Sequence, residues 1–250
     1  MSLVVVSGTG TGVGKTIVSA AVIAMALDRG ESAAYVKVAQ TGVHPGEAGD
    51  RETVCRLTGI APTATLVGGS FEGALSPQAA ARSAGLPPVS LPELARTIHE
   101  LAGRCDLVLV EGAGGLLVRF DEEGRTLADL ALLLGAPVLV VAAAGLGTLN
   151  HTALTVEALA HRGLVLGGVV IGSWPVRPGL AELSNLSDLP AIAAQPLSGA
   201  LPAGAGRRGQ ARFREVARRG LAPAYGGSFD VGQLGSAGVS ARRSGRPARA

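Results

Sequence analysis

Short apolar segments alternate along the chain with longer segments in which apolar residues recur at helical spacing. The short segments, predicted as strands, are LVVV (3–6), SAAYVKVAQTG (32–42), DLVLVEGAGGLLV (106–118), the run starting APVLVV (136–141), GGVVIGSW (167–174) and, more weakly, AIAAQPLSGALP (191–202). The predicted helices are KTIVSAAVIAMALDRG (15–30), RETVCRLTG (51–59), LSPQAAARSAG (75–85), LPELARTIHELAGR (91–104) and NHTALTVEALAHRG (150–163).

This alternation predicts an α/β fold. Nearly continuous Val, Leu and Ile runs are typical of parallel strands that are covered on both faces. We therefore expect a single doubly wound, mostly parallel sheet in a three-layer α/β/α domain that spans residues 1–225. Residues 226–250 are rich in Gly, Ser and Arg, a composition that predicts a disordered tail.

The composition indicates what kind of core the protein has and in which compartment it is located. Apolar residues make up 47% of the chain but aromatic residues only 3%, so we expect a core of Ala, Val and Leu. No run of 18 apolar residues occurs, and the N-terminus has no basic segment before its short apolar run, so neither a membrane span nor a signal peptide is expected. Two distant cysteines without metal-ligand spacing favour reduced thiols and a cytoplasmic location.

Charge is distributed unevenly. The net charge is +3, yet residues 201–250 hold ten arginines against Glu215 and Asp230, which leaves the rest of the chain mildly acidic. A basic end can bind nucleic acid without specificity, but its composition favours a solubilising segment instead. We expect no specific nucleic-acid partner.

The segment SGTGTGVGKT (7–16) carries the clearest chemistry. A phosphate loop of the form G-x-x-x-x-G-K-[ST] needs glycine at position 9, where this chain has Thr9, so the loop is one residue longer than the pattern. Its backbone N–H groups and the helix that follows favour a bound anion. Lys15 is expected to reach the β- and γ-phosphates and the Thr16 hydroxyl to hold Mg²⁺.

Further candidate residues follow the other strands. Glu111 closes a buried strand, as a carboxylate that binds a metal opposite a phosphate loop does, and the glycines after it allow a close ligand approach. Only two of the 22 basic residues are lysines, Lys15 and Lys37. Lys37, with Thr41 nearby, is placed to neutralise a transferring phosphoryl group; the alternative is a solvent-facing lysine. GLGTLNH (145–151) offers N–H groups to a carboxylate, or helix capping by its polar residues.

Four motifs together resemble those of the dethiobiotin synthetase family: GTGTGVGKT, KVAQTG, VEGAGG (110–115) and GTLNH. The long loop is the form found in that family, and the order and spacing agree over roughly residues 3–203. The resemblance implies a homodimer with shared active sites. It also implies a ligase that uses ATP or another nucleoside triphosphate, with Mg²⁺, to close the ureido ring of dethiobiotin from 7,8-diaminopelargonate and CO₂, through a carbamate and its mixed anhydride with phosphate.

The same resemblance implies roles for individual residues. The catalytic residues are Lys37, Lys15, Thr11 and Thr41, and the metal ligands are Thr16, Asp50 and Glu111, although Glu47 and Glu52 lie in the same variable loop as Asp50. The nucleotide-binding residues are Gly12, Val13, Gly14, Lys15, Thr16, Ile17, Asp50, Glu111, Gly112, Ala113, Gly114, Gly172, Ser173, Leu201, Pro202 and Ala203. The diamine is bound by Thr41 and, from the dimer mate, by Leu146, Gly147, Thr148 and Asn150.

Some features leave alternatives open. Many family members have an asparagine that reads adenine where this chain has Gly172–Ser173–Trp174, so the base preference stays open. Another nucleotide-dependent ligase is one alternative function. A switch or partition-type ATPase is another, but those proteins commonly carry a lysine early in the loop, where this chain has Gly8–Thr9–Gly10.

Overall fold

The computed structural model describes residues 2–232 and 234, and these residues form a three-layer α/β/α arrangement. A seven-stranded sheet has the order β4-β2-β6-β1-β7-β8-β9, and all its pairings are parallel. A separate two-stranded sheet pairs β3 with β5. The strands are β1 Ser2–Gly8, β2 Ala33–Lys37, β3 Gln40–Thr41, β4 Thr65–Val67, β5 Ser70–Phe71, β6 Leu107–Gly115, β7 Val138–Ala142, β8 Leu166–Trp174 and β9 Gly199–Pro202.

Helices cover both faces of the large sheet. They are α1 Lys15–Asp28, α2 Asp50–Thr58, α3 Pro77–Ala84, α4 Leu91–Ala102, α5 Leu127–Leu134, α6 Thr148–His161, α7 Leu180–Ala193 and α8 Gln210–Gly220, with short 3₁₀ turns at Pro62–Ala64, Ala205–Arg207 and Pro223–Tyr225. Helices α1, α2 and α8 pack on one face, and α3 to α7 contribute to the core on the other. No helix in residues 2–232 and 234 combines the length and apolarity that crossing a bilayer requires.

Side-chain alternation along the strands feeds the two cores separately. In β1, Val4 and Val6 point toward α1 and α2, whereas Val5 points to the opposite face. This is the two-residue period of a strand, and it makes a doubly covered strand apolar throughout. The cores are largely aliphatic, as the composition predicts, but Tyr35, Phe120 and Phe213 are among their largest fully buried side chains.

Strand register brings the candidate residues to one edge of the sheet. β6 lies between β1 and β2, and Glu111 of β6 pairs in register with Val6 of β1 and with Lys37 of β2. The phosphate loop leaves β1 directly after Gly8. In sheets of this kind ligands bind beyond the carboxyl ends of the strands, and this edge is that end.

Two predicted strands differ from the structure. The segment at 32–42 is not continuous: β2 ends at Lys37, and Gln40–Thr41 turn away to pair with Ser70–Phe71. The last predicted strand, 191–202, is wrong in its first half because α7 continues to Ala193, and only Gly199–Pro202 are extended. Ala and Ile in that segment are apolar enough for either state, and the helix is the state that packs against α6 and buries Ala193 in the core.

The beginning of the predicted tail is packed against the domain. The Phe229 N–H donates to the Leu221 carbonyl at 2.8 Å and the Ser228 N–H to the Arg218 carbonyl at 2.6 Å. Phe229 also packs against the core that includes Trp174. Ordered contacts therefore continue past the expected boundary at 226. Residue 233 and residues 235–250 lie outside the described part of the chain, and disorder there stays a prediction.

Candidate active site

The phosphate loop joins β1 to α1 in a conformation that requires glycine. Gly12 and Gly14 have φ angles of +75° and +101°, in the left-handed region that L side chains rarely adopt. A side chain at Gly14 would also come within 2.7 Å of the Gly172 carbonyl oxygen. Because α1 begins immediately afterwards, at Lys15, the loop directs free N–H groups and a helix N-terminus toward one anion site.

Lys15 is a buried cation within this loop. Its side chain is held by the Gly10 carbonyl, to which Nζ donates at 3.0 Å. Burial, and then the nearby positive charge of Lys37, lowers the pKa of Lys15 from 10.5 to about 8. The ammonium therefore predominates at neutral pH, but it is poorly solvated and is available to an anionic ligand.

Glu111 lies at the centre of the site and is completely buried. Its Oε1 accepts hydrogen bonds from Thr16 Oγ1 at 2.8 Å and from Lys37 Nζ at 2.7 Å. Its Oε2 accepts one from the Tyr35 hydroxyl at 2.9 Å. Side chains of α1 and β2 thus donate hydrogen bonds to both carboxylate oxygens of Glu111, which lies in β6.

Lys37 points into the site and not into solvent, so the solvent-facing alternative is wrong. Only 3% of the residue is exposed, and Nζ lies 2.5 Å from Asp50 Oδ2 as well as 2.7 Å from Glu111. Nζ also donates to the Gly112 carbonyl at 3.1 Å. Burial, the largest influence, lowers the pKa of Lys37, but the Glu111 and Asp50 carboxylates together outweigh it and raise that pKa.

The structure brings Asp50, and neither of its acidic neighbours, to this cluster. Asp50 is the first residue of α2, and its carboxylate reaches Lys37. Glu52 instead accepts the Gly49 N–H at 2.9 Å, as a helix-capping residue does. Glu47 accepts the His44 N–H at 3.0 Å in the preceding turn.

These groups line one open cleft of about 350 Å³. Its lining includes most of the residues expected to bind phosphates, metal and the reacting end of the substrate. The lining residues are Thr11, Gly12, Gly14, Lys15, Thr16, Ile17, Lys37, Ala39, Gln40, Thr41, Asp50, Glu111, Ala113 and Gly114. Val13 and Gly112 lie beside the cleft. The Val13 carbonyl is close to Gly172, and the Gly112 carbonyl accepts a hydrogen bond from Lys37 Nζ.

The residues that are expected to contact the nucleotide base form a second group outside this cleft. Gly172 lies directly against the backbone of Val13 and Gly14, and the Ala203 N–H donates to the Trp174 carbonyl at 2.7 Å. Leu201 is buried, whereas Ser173 and Pro202 are exposed. The ends of β8 and β9 are therefore joined to each other and to the side of the phosphate loop.

The turn before α6 is separate from the cleft of its own chain. Leu146 is 96% exposed, and Asn150 is exposed as well. The residue that caps the helix is Gly147, and no side chain caps it; the Thr148 hydroxyl donates instead to the Ala143 carbonyl at 2.7 Å. From α7, Asn185 Nδ2 donates to the Ala144 and Gly145 carbonyls at 2.7 and 3.2 Å. Hydrogen bonds from Asn185 therefore stabilise the turn, while Leu146 and Asn150 remain exposed.

The donor set suits Mg²⁺ if phosphate completes it. Thr16, Asp50 and Glu111 offer only oxygen atoms, as this hard cation prefers. In residues 2–232 and 234 no group of three or more His, Cys, Asp or Glu side chains could hold a metal ion by itself. Mg²⁺ is commonly held by one or two carboxylates together with substrate phosphates and water, so two carboxylates and a hydroxyl beside a phosphate loop fit that pattern.

Two polar residues of the site were not predicted from the sequence. Tyr35 contacts Glu111, and Gln40 accepts the Asp50 N–H through Oε1 at 2.9 Å. Tyr35 precedes Lys37 by two residues in the same strand, so the two-residue period of a strand was an available signal. Gln40 became a neighbour of Asp50 only through the break in the strand, which no local pattern signals.

Comparisons with known proteins agree with this geometry. The family model described as an AAA domain matches residues 3–203. The chain is 59% identical to the ATP-dependent dethiobiotin synthetase of Frankia casuarinae, over 92% of this chain and 95% of the relative. It is 54% identical to that of Parafrankia sp. and 55% identical to that of Streptomyces coelicolor, each over 94% of this chain and 98% of the relative.

Solved structures share the fold at low sequence identity. A ParA family ATPase from Chlorobium tepidum matches with a TM-score of 0.54 and 11% identity, over 86% of this chain and 96% of the other. The MinC:MinD cell division complex of Aquifex aeolicus matches with a TM-score of 0.52 and 13% identity, over 100% and 98%. At these identities the likeness concerns the P-loop NTPase architecture alone.

Proposed function

From the premise that the chain belongs to the family of ATP-dependent dethiobiotin synthetases, we propose that the cleft between the phosphate loop and Lys37 is where its ureido ring is closed. The enzyme is a ligase of biotin synthesis that consumes ATP. The observation that carries the assignment of the cleft is the burial of Lys37 between Asp50 and Glu111, in the same cleft as Lys15.

The reaction joins CO₂ to a vicinal diamine. One amine of 7,8-diaminopelargonate adds to CO₂ and gives a carbamate. A carbamate oxygen attacks the γ-phosphorus of ATP, and ADP leaves. The second amine then attacks the carbamate carbon of the mixed anhydride, the C–O bond to phosphate breaks, and the ring closes with release of inorganic phosphate and protons.

The phosphate loop and the two lysines meet the electrostatic demand of this transfer. Gly12, Val13 and Gly14 offer backbone N–H groups to the β-phosphate, and Lys15 exchanges its Gly10 partner for phosphate oxygens. Lys37 approaches the transferring group from β2 and neutralises charge on it. Thr11 and Thr41, which line the same cleft, donate hydrogen bonds to the carbamate and phosphoryl oxygens.

No side chain has to act as a nucleophile in this scheme. Phosphoryl transfer to a positioned carbamate requires alignment and charge neutralisation, which bound reactants and fixed cations supply. Thr16, Asp50 and Glu111 would hold Mg²⁺, which when bound neutralises charge on the β- and γ-phosphate oxygens. Lys37 at present forms ion pairs with both carboxylates, and its release toward the γ-phosphoryl group would free them for the metal.

The nucleoside lies on the other side of the loop in this proposal. Gly172 and Ser173 at the end of β8, with Leu201, Pro202 and Ala203 at the end of β9, border the base. Ile17 of α1 contributes the face toward the phosphates. Of the three residues 172–174, none carries a side-chain amide, so contacts with the base would come mainly from the backbone.

The substrate carboxylate is assigned to a second copy of the chain. The turn that includes Leu146, Gly147, Thr148 and Asn150 lies at the start of α6, outside the lining of its own cleft, and exposes Leu146 and Asn150. N–H groups at the start of a helix favour a bound carboxylate. Leu146, Leu154 and Leu117 are 96, 57 and 45% exposed, and these apolar side chains near α6 are suited to burial in a homodimer. In such a dimer each cleft would receive the turn of its partner.

The test is phosphate release with each reactant omitted in turn. Complete reactions contain ATP, Mg²⁺, 7,8-diaminopelargonate and bicarbonate, and we expect phosphate only when both the diamine and bicarbonate are present. Product is identified by mass spectrometry as the cyclic urea. Hydrolysis of ATP that is indifferent to both reactants would contradict the proposal and favour a switch ATPase.

A further inference from the structure

Tyr35 is a polar residue of the site that the reaction scheme does not use. Its hydroxyl lies 2.9 Å from Glu111 Oε2, and both residues have no exposed surface. No second donor to this oxygen is recorded among residues 2–232 and 234, whereas Oε1 receives both Thr16 and Lys37. Tyr35 therefore holds the half of the carboxylate that the cleft residues leave free.

The position of Tyr35 makes it a rigid support. It lies in the middle of β2, where its backbone pairs with Leu109 of β6 on one side and with Thr65 of β4 on the other. The ring packs in the core formed with α1 and α2. Tyr35 and Lys37 point to the same face of the strand, so one element fixes a partner for each oxygen of Glu111.

Packing alone does not account for the hydroxyl. In a core made largely of Ala, Val and Leu, a phenylalanine ring would fill the same volume without bringing in a polar group that needs a partner. The other tyrosine, Tyr225, donates its hydroxyl to the Gly167 carbonyl at 2.8 Å, far from the cleft in the fold. The chain thus contains a second tyrosine hydrogen bond, partly buried, that serves as a comparison.

We propose that Tyr35 is a positioning residue that orients the Glu111 carboxylate for the metal–nucleotide complex. This inference rests on the proposed function, in which Glu111 helps to hold Mg²⁺. The hydrogen bond from Tyr35 to Oε2 opposes rotation of the carboxylate about its terminal bond, so Oε1 keeps facing Thr16 and the phosphate loop. Mutation of partners that orient metal ligands in this way typically weakens metal binding by about 10- to 100-fold.

The experiment measures the Mg²⁺ dependence of nucleotide binding, not turnover. Binding of β,γ-methylene ATP is followed by calorimetry in EDTA and at increasing MgCl₂ for the natural enzyme, Tyr35→Phe, Tyr225→Phe and Glu111→Gln. We expect Tyr35→Phe to raise the Mg²⁺ concentration for half-maximal effect about ten-fold. Its affinity in EDTA should stay within about two-fold of the natural enzyme, because the phosphate loop is intact. Tyr225→Phe should leave both quantities unchanged.

Each other outcome has a distinct meaning. If Tyr35→Phe behaves like Tyr225→Phe while Glu111→Gln shifts the Mg²⁺ response, the positioning role is wrong and the metal assignment stands. If neither Tyr35→Phe nor Glu111→Gln shifts it, the assignment of Mg²⁺ to Glu111 is wrong, and the inference fails with it. Thermal unfolding is measured alongside, since a purely structural role would lower the melting temperature of Tyr35→Phe and leave the Mg²⁺ response unchanged.

Discussion

Lys37 is held by more charged partners than any other cation of the cleft, and its contacts define what a substitution should do. Lys37→Met removes the ammonium but keeps a long apolar stem in its buried position. We expect ATP- and diamine-dependent phosphate release to fall by about two to three orders of magnitude, as it does when one preorganised stabiliser of a transition state is removed. Nucleotide binding should remain, since Lys15 and the loop are intact.

The control for this prediction is Lys37→Arg, which keeps the charge. Arginine presents a wide planar fork where Lys37 fits a point charge between Asp50 and Glu111, at 2.5 and 2.7 Å. It should restore little of the lost rate. A Lys37→Met enzyme that retained full turnover would remove Lys37 from the mechanism.

Lys15 gives the site a pH dependence that can be measured without metal. Its pKa in the free protein is about 8, lowered chiefly by burial, and bound phosphates favour the ammonium. Nucleotide affinity should therefore be nearly constant below about pH 7 and fall steadily above pH 8, because binding must then take up a proton; from pH 7.5 to pH 9 we expect a loss of about eight-fold. Calorimetry in EDTA checks this.

Lys15→Arg tests the cause of that loss. The guanidinium remains charged over the whole range, so its affinity, although lower, should vary little between pH 7.5 and 9. An equally steep decline in this variant would assign the titration to another group.

At the residue level, the sequence predicts which residues belong to the site better than it predicts which side chains contact one another. Lys15 and Thr16 follow from the spacing of one loop, and Glu111 follows from its place at the end of an apolar strand. That Lys37 points inward, and that Asp50 and not Glu52 reaches it, depends on where α2 starts and on which acid caps it. Such choices between neighbouring side chains are made by tertiary contacts that the local sequence does not encode.

At the level of secondary-structure elements, β8 packs directly against the phosphate loop at Gly172, where there is no room for a side chain. A methyl group at Gly172 would overlap the Val13 carbonyl oxygen, so Gly172→Ala must push β8 and the loop apart. We expect the free energy of unfolding to decrease by about 1–3 kcal/mol, as overpacking typically does. Nucleotide affinity should fall as well. Urea denaturation and calorimetry measure the two effects.

Gly10→Ala is the matched control within the same loop. An added Cβ there meets no atom within 4 Å, and Gly10 does not have a positive φ angle. Its stability should stay within about 0.5 kcal/mol of the natural enzyme. Equal destabilisation of the two variants would show that the loop tolerates no side chain anywhere, and the contact with β8 would not be the reason.

Strands and helices are predictable where one pattern of apolar residues is strong, and they are not where a strand pattern and a helix pattern compete. The strands β1, β6 and β7 and the helix α4 follow directly from apolar runs and from helical spacing. Helices α5, α7 and α8 were not predicted. α5 is apolar on nearly every side and shows no apolar stripe, whereas α8 buries Phe213 and Ala217 on one face among five charged residues, and this helical spacing was an available signal. α7 lies in a segment whose end reads equally as a strand.

For the whole molecule, the central prediction is a dimer with shared sites. Light scattering should give twice the chain mass of 24.9 kDa. Lys37→Met inactivates the cleft, and Asn150→Asp places negative charge where the substrate carboxylate should bind. When the two inactive variants are mixed and allowed to exchange, half of the dimers contain one intact site, so activity should return to about a quarter of the natural level.

Recovery in the mixture identifies the donor of the turn. If each chain supplied its own turn, mixed dimers would contain no intact site and no activity would return. A monomeric mass would contradict the shared site directly. The fold alone does not predict this assembly, because the exposed leucines near α6 are also compatible with another partner.

The burial of both lysines also determines how the protein reacts with chemical reagents. Because the remaining basic side chains are arginines, the only side-chain amines belong to Lys15 and Lys37, which are 7 and 3% exposed. Acylating reagents attack neutral amines, so Lys15 is the more reactive of the two near pH 8. Apart from the terminal amine, covalent labelling would therefore report on a single nitrogen, and protection by nucleotide would reveal occupancy directly by mass spectrometry.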